Sequence, residues 1–117
     1  MKKRVLVVDD DADIRETVRL ILADEGYEVD DAADGSAALA QLRSGARPDV
    51  ILLDLMMPVM NGWQFREAQQ ADPLLAAIPI IVISADARLR DQATQFGGRF
   101  LAKPVDIESL LAAIETV

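Results

Sequence analysis

The chain has no cysteine and no histidine. Without cysteine it forms no disulfide and no thiolate metal site, which is compatible with the cytoplasm. Without histidine it has no imidazole to serve as acid, base, nucleophile or zinc ligand. It also lacks any apolar run near the roughly 20 residues that span a bilayer, so no membrane insertion is expected. Met1-Lys2-Lys3-Arg4 before Val5 to Val8 has the outline of a secretory leader. That apolar run is too short, however, and enters Asp9-Asp10-Asp11 at once. Cations are in the minority: 12 Lys and Arg face 20 Asp and Glu, a formal net charge of −8. Affinity for phosphate backbones comes from clustered Lys and Arg, so direct nucleic-acid binding is not expected.

What is present is one domain's worth of chain. The 117 residues are 51% hydrophobic and 27% charged, and residues 1–117 read as a single unit without repeat, linker or low-complexity segment. Asp49-Val50-Ile51-Leu52-Leu53-Asp54 organises the rest. Val50 to Leu53 is continuously apolar, as in a parallel strand buried on both faces, and it stops abruptly on Asp54 ahead of the turn signals Pro58 and Asn61-Gly62. Arg4 to Val8 is a second such strand, ending on Asp9-Asp10-Asp11. A helix follows over 11–25, capped by Asp11 or Asp13, with Ile14, Val18, Ile21 and Leu22 on one face and Gly26 at its end.

Tyr27 to Ala33 alternates in part and suits an edge strand. A short helix then turns Ala38, Leu39 and Leu42 inward and closes near Gly45. Trp63 to Gln70 is a third helix, and a loop runs between Pro73 and Pro79. Ile80 to Ile83 is a further buried strand, ending on Ser84-Ala85-Asp86. Leu89, Ala93 and Phe96 share the face of an indistinct fourth helix. Phe100-Leu101-Ala102 is a short strand ending on Lys103-Pro104. A last helix starts at its cap Asp106 and turns Ile107, Leu110, Leu111 and Ile114 inward. Trp63, Met56, Met57 and Met60 read as loop packing.

Five strands alternating with five helices imply an α/β fold with right-handed crossovers. We expect a doubly wound, five-stranded parallel sheet of order 2-1-3-4-5, whose switch point lies between the first and third strands. Asp9, Asp10 and Asp54 then meet in one crevice, with Ser84 and Lys103 on the same edge. Three carboxylates within about 5 Å repel by roughly 3 kcal/mol per pair at an effective dielectric near 20, so a compensating cation is implied. Oxygen-only donors select Mg²⁺ or Mn²⁺. Carboxylates, a hydroxyl and a lysine around such an ion suit phosphoryl transfer, with an aspartate able to act as nucleophile. Taken singly the residues have plainer uses: an aspartate run caps a helix, Ser84 makes a turn, Lys103 is solvated and Phe100 is core.

Asp9-Asp10 after Val5-Leu6-Val7-Val8, the segment Asp54-Leu55-Met56-Met57-Pro58-Val59-Met60-Asn61-Gly62, Ser84-Ala85 and Lys103-Pro104 together resemble the receiver domain of two-component response regulators. The resemblance covers the whole chain, and the flavodoxin-like, CheY-like (βα)5 order is part of it. It implies that Asp54 is the phosphoacceptor, that Asp10 binds Mg²⁺ directly and Asp9 through water, and that the Met56 backbone carbonyl completes the protein's ligands. It implies that Ser84 hydrogen-bonds the phosphoryl group and Lys103 pairs with it. Phe100 matches the aromatic switch position, whose ring turns inward as Ser84 moves, and the Lys103–Pro104 bond is expected to be cis.

The implied partners are a histidine kinase or histidine phosphotransfer protein upstream and a protein target downstream. The implied setting is the cytoplasm, as a monomer or weak dimer, with the domain assisting its own phosphorylation and dephosphorylation rather than working as an enzyme. Two departures stand out: Ser84 to Lys103 is a few residues shorter than in the family, and Gly97-Gly98 replaces the usual pattern. A shortened or displaced fourth helix is therefore expected. The sequence stops after its fifth helix, which suits either a single-domain regulator or a piece of a longer one. Competing readings are an aspartyl-nucleophile phosphatase, which needs a second Asp where Met56 stands, a flavodoxin-like electron carrier, which needs a phosphate loop where Asp9-Asp10-Asp11 stands, and an inactive receiver used as a scaffold.

Overall fold

The computed structural model describes residues 3–95 and 99–117. Phe96 and the Gly97-Gly98 pair, both used above, lie outside the described residues. The order of elements is β1 (Arg4–Val8), α1 (Ala12–Asp24), β2 (Glu28–Ala32), α2 (Gly35–Arg43), β3 (Val50–Asp54), α3 (Gly62–Gln70), β4 (Ile80–Ser84), a 3-10 turn (Ala87–Leu89), α4 (Arg90–Gln95), β5 (Arg99–Ala102) and α5 (Ile107–Glu115). The sheet has five parallel strands in the order β2-β1-β3-β4-β5. This is the doubly wound, flavodoxin-like arrangement that the alternating pattern calls for.

Every residue of β3 and β4 is buried, because helices cover both faces of a parallel sheet. Alternation along each strand divides the apolar side chains between two cores. Leu6, Val8, Ile51, Leu53, Val82 and Phe100 pack against α2, α3 and α4. Val5, Val7, Val50, Leu52, Ile81 and Ile83 pack against α1 and α5. β2 exposes Glu28, Asp30 and Asp31, as an edge strand does.

Each long helix starts on a side chain that accepts an otherwise unpaired N–H. Asp11 caps α1, Asp34 caps α2, and Asp106 caps α5. Asn61 caps α3 in a reciprocal box with Gln64, so that helix begins at Gly62, one residue before the expected Trp63. The second strand begins at Glu28 rather than Tyr27, whose N–H still bonds the Leu22 carbonyl of α1 at 3.0 Å.

Two side chains expected to be packed are exposed instead. Ile107 is 48% exposed and lines a groove between α1 and α5, while Leu110, Ala113 and Ile114 form the buried face. Met56 is 63% exposed, because the loop buries its neighbours Leu55 and Met57 and turns the residue between them outward. Met57 is buried, and Met60 and Trp63 pack partly against the core.

The 3-10 turn leads into α4, described over Arg90–Gln95, with Ala93 buried and Leu89 half-buried. The connection from α3 to β4 is held by Gln69, whose amide is fully buried and donates to the carbonyls of Leu75 (2.9 Å) and Ile78 (3.1 Å).

Candidate functional site

β1 and β3 are hydrogen-bonded neighbours, so their carboxyl ends open side by side at the switch point. Asp54 is the last residue of β3, and Asp9 and Asp10 follow β1. One carboxylate oxygen from each of Asp9, Asp10 and Asp54 lies within 4.8 Å of the others. Asp9 and Asp54 are buried, at 3% and 5% exposure, while Asp10 faces solvent.

Backbone donors fix both buried carboxylates. Asp9 Oδ1 accepts from the Asp11 N–H at 2.9 Å, and Asp54 Oδ1 accepts from the Met56 N–H at 3.2 Å. Arg15 on α1 donates to the Asp9 carbonyl at 2.7 Å. Lys103, just beyond β5, places Nζ 2.9 Å from Asp9 Oδ2 and 3.4 Å from Asp54 Oδ2. Its own N–H donates to the Ser84 carbonyl at 2.9 Å, and the Lys103–Pro104 bond is cis.

The charge balance is visible in the titration of two groups. Burial and then the neighbouring Asp9 push the Asp54 carboxyl above its ordinary value, and the Lys103 ammonium only partly counters them. Burial disfavours the Lys103 ammonium, but Asp9 and Asp54 outweigh it and raise its pKa. Three carboxylates and one ammonium leave the cluster short of positive charge. The donors are all oxygen, in the number and spacing that suit a hard divalent ion.

Glycine brings α3 directly against this site. A Cβ on Gly62 would lie 2.8 Å from the Leu55 Cα and 2.9 Å from the Asp54 carbonyl oxygen, too close for any side chain. In the same loop Val59 adopts φ +67° while 82% exposed, a left-handed conformation unusual for a β-branched residue.

Ser84 and Phe100 sit apart from the carboxylate cluster. Ser84 is buried at 1% exposure beside the end of β3, where Asp54 pairs with Ile83, and its Oγ accepts the Asp86 N–H at 3.1 Å. Phe100 pairs with Val82 in β5 and is 8% exposed, its ring face covered by the Arg90 guanidinium 4.7 Å from the centroid. Arg90, Arg15 and Gln69 went unnoticed in the sequence, because each acts on a residue that only the fold brings near. A groove of about 490 Å³, lined mainly by Ile14, Val18, Ile21, Val105, Ile107 and Leu110, opens beside Lys103.

Residues 5–115 match the sequence profile of the response regulator receiver domain. The chain belongs to that family. It is a receiver domain of two-component signalling, a family of phosphoacceptor signalling domains. It is 42% identical over 123 residues to the response regulator PleD of Caulobacter vibrioides, covering 100% of this chain and 26% of that protein. It is 33% identical over 117 residues to the DNA-binding dual master transcriptional regulator RpaA of Synechocystis, covering 97% and 48%. The receiver chain thus spans about half or less of these curated relatives. Among solved structures, the chemotaxis response regulator CheY4 of Vibrio cholerae aligns with a TM-score of 0.89 and 36% identity, covering 99% of this chain and 98% of that one. A receiver protein from Pseudomonas putida aligns with a TM-score of 0.91 and 31% identity, covering 100% and 98%. Among the described residues no helix is long and apolar enough to cross a membrane.

Proposed function

We propose that residues 1–117 act as one receiver unit in which Asp54 accepts a phosphoryl group from a phosphohistidine of a kinase or phosphotransfer protein. The observation that carries this reading is the cluster itself: a buried Asp54, two further carboxylates within 4.8 Å, and the Lys103 ammonium bonded to Asp9 and Asp54. Asp10 and Asp54 would hold Mg²⁺ directly, Asp9 through water, and the Met56 carbonyl would complete the set, with Mn²⁺ an acceptable substitute. When bound, the ion supplies the positive charge that the phosphoryl oxygens and the carboxylates need.

The chain's own residues orient the reaction. The Met56 N–H fixes one oxygen of Asp54, and Lys103 stands at the other. The ionised Asp54 attacks phosphorus, the new P–O bond forms as the P–N bond breaks, and the partner's imidazole leaves as a base that takes up a proton. Hydrolysis of the resulting acyl phosphate by water returns Asp54 and releases inorganic phosphate. The groove beside Lys103 offers the phosphodonor an apolar seat within reach of Asp54, useful where a chain of net charge −8 repels an anionic group.

Once phosphorylated, Asp54 gains about two negative charges and three acceptor oxygens. The Ser84 hydroxyl can donate to one of these while still accepting from Asp86, and Lys103 can pair with another. The change then passes to α4 and the Phe100 face, where a downstream protein target reads it. Phosphohistidine is made from nucleoside triphosphates, so this reading places the chain in the cytoplasm. The test is intact mass after incubation with acetyl phosphate and Mg²⁺. Wild type should gain one phosphoryl group, lost with hydroxylamine, prevented by EDTA and absent in Asp54→Asn. Phosphate recovered on Ser84 or Thr94 instead would overturn the mechanism.

A further inference from the structure

Asp10 faces solvent, so the direction of its carboxylate is set chiefly by the backbone from which it springs. That backbone is anchored through Asp9. The Asp9 N–H donates to the Ala32 carbonyl at 3.1 Å, its Oδ1 accepts the Asp11 N–H at 2.9 Å, and its carbonyl accepts from Arg15 Nη1 at 2.7 Å. The Asp9 carbonyl and the Asp10 N–H share one planar peptide. Aiming that carbonyl therefore also aims the bond on which Asp10 departs.

Arg15 is itself held. Its Nε donates to Asp31 Oδ2 at 3.1 Å, and the Asp31 carbonyl on β2 accepts the Gln41 side-chain amide of α2 at 2.7 Å. The Arg15 side chain is only 19% exposed, so water competes little for its bonds. A guanidinium can serve two acceptors in one fixed plane, whereas a lysine ammonium is a single point of charge. Mg²⁺ demands near-ideal octahedral geometry, while the larger Ca²⁺ accepts irregular ligand sets. We infer that Arg15 is a positioning residue that fixes the Asp9–Asp10 peptide, aims Asp10 at the ion and so favours Mg²⁺ over Ca²⁺. The inference rests on the reading that the Asp9–Asp10–Asp54 cluster holds a divalent ion.

A bare charge at Arg15 would act in the opposite sense, since a guanidinium beside three carboxylates repels a cation from them. Calorimetric titration of the whole chain with Mg²⁺, and separately with Ca²⁺, distinguishes the two. Arg15→Gln should weaken Mg²⁺ binding by about tenfold, the low end for loss of a group that orients a metal ligand, and Ca²⁺ binding by less. Arg15→Lys keeps the charge and one donor, and its Mg²⁺ affinity should fall between wild type and Arg15→Gln. Melting curves in EDTA establish that each variant is folded at the titration temperature. Should Arg15→Gln not fold, Arg15→Lys carries the comparison and should lose more affinity for Mg²⁺ than for Ca²⁺.

Mg²⁺ affinity in Arg15→Gln that equals or exceeds wild type would overturn the inference, as would equal losses for the two ions. A wild type that binds neither ion would overturn the cluster reading and this inference with it, whereas normal binding without a selective loss overturns the inference alone. Carbon NMR in EDTA gives a readout without metal: the Asp9 carbonyl signal should move upfield in Arg15→Gln as its donor is lost. A signal that stays in place would show that Arg15 does not hold this peptide.

Discussion

Lys103 Nζ lies 2.9 Å from Asp9 Oδ2, closer than its 3.4 Å approach to Asp54. The ammonium leans toward a carboxylate that is itself part of the Asp9–Asp10–Asp54 cluster, so it and a divalent ion compete for the same negative charge. Mg²⁺ should raise the melting temperature, by about 2.7 kcal/mol of stabilisation at a hundredfold excess over Kd. Asp10→Ala should blunt that response. Lys103→Met should tighten Mg²⁺ binding, measured by calorimetric titration, while lowering metal-free stability by stranding two buried carboxylates. A wild-type melting curve that ignores millimolar Mg²⁺ would refute the assignment of the cluster.

Stability in EDTA should depend on pH through the same pair. The folded pKa of Asp54 is raised above the ordinary 3.8, so the folded state holds this proton more tightly than the unfolded chain does. Asp54 therefore costs stability as pH rises from 3.8 through its folded value, and that cost persists at neutral pH. Asp54→Asn should be more stable than wild type at neutral pH in EDTA and should lose the advantage in acid. Lys103 has a raised folded pKa too, but for a base the sign reverses. Its contribution is present below 10.5 and disappears as pH rises through the folded value. Denaturant midpoints across pH, for wild type, Asp54→Asn and Lys103→Met, test both signs.

Ser84→Ala should still accept phosphate on Asp54, since the Ser84 hydroxyl bonds Asp86 rather than Asp54. It should lose about 1 kcal/mol from the Asp86 hydrogen bond, and most of the coupled change at α4. Amide NMR with and without beryllofluoride reads this. Shifts near α4 as large as in wild type would show that another residue carries the change.

Val59→Gly should raise stability, because a left-handed conformation costs an L-residue roughly 1–2 kcal/mol and glycine up to about 1 kcal/mol in chain entropy. The exposed valine forfeits little packing on removal. Gly62→Ala should act in the opposite sense, by about 1–3 kcal/mol as overpacking does, and should slow phosphorylation because the clash falls on the Asp54 carbonyl and the Leu55 backbone. Urea unfolding distinguishes the two, and equal midpoints for wild type and Gly62→Ala would show that α3 can retreat without strain.

The sheet was legible because four of its five strands are short apolar runs, and the carboxylate cluster with its lysine was legible because three of those runs stop on Asp9, Asp54 and Lys103. Helix caps at Asp11 and Asp106 followed from side chains that compete for backbone N–H groups. What escaped depends on through-space contact. The Arg90–Phe100 stack joins a helix to a strand, and Gln69 answers carbonyls of its own following loop. Ile107 and Met56 failed for a related reason: hydrophobicity says that a residue prefers cover, not which residues lack it.

The division of the interior into two cores has a consequence for traffic at the protein surface. Alternation puts Asp9, Asp54 and Lys103 in register with the layer of α1 and α5, whereas Ser84 and Phe100 belong to the layer of α2, α3 and α4. On the proposed reading, delivery of phosphate and its readout use opposite sides of one thin partition. The groove against α1 and the face of α4 lie on different layers of this chain. On that reading the architecture itself does not force the two surfaces to overlap.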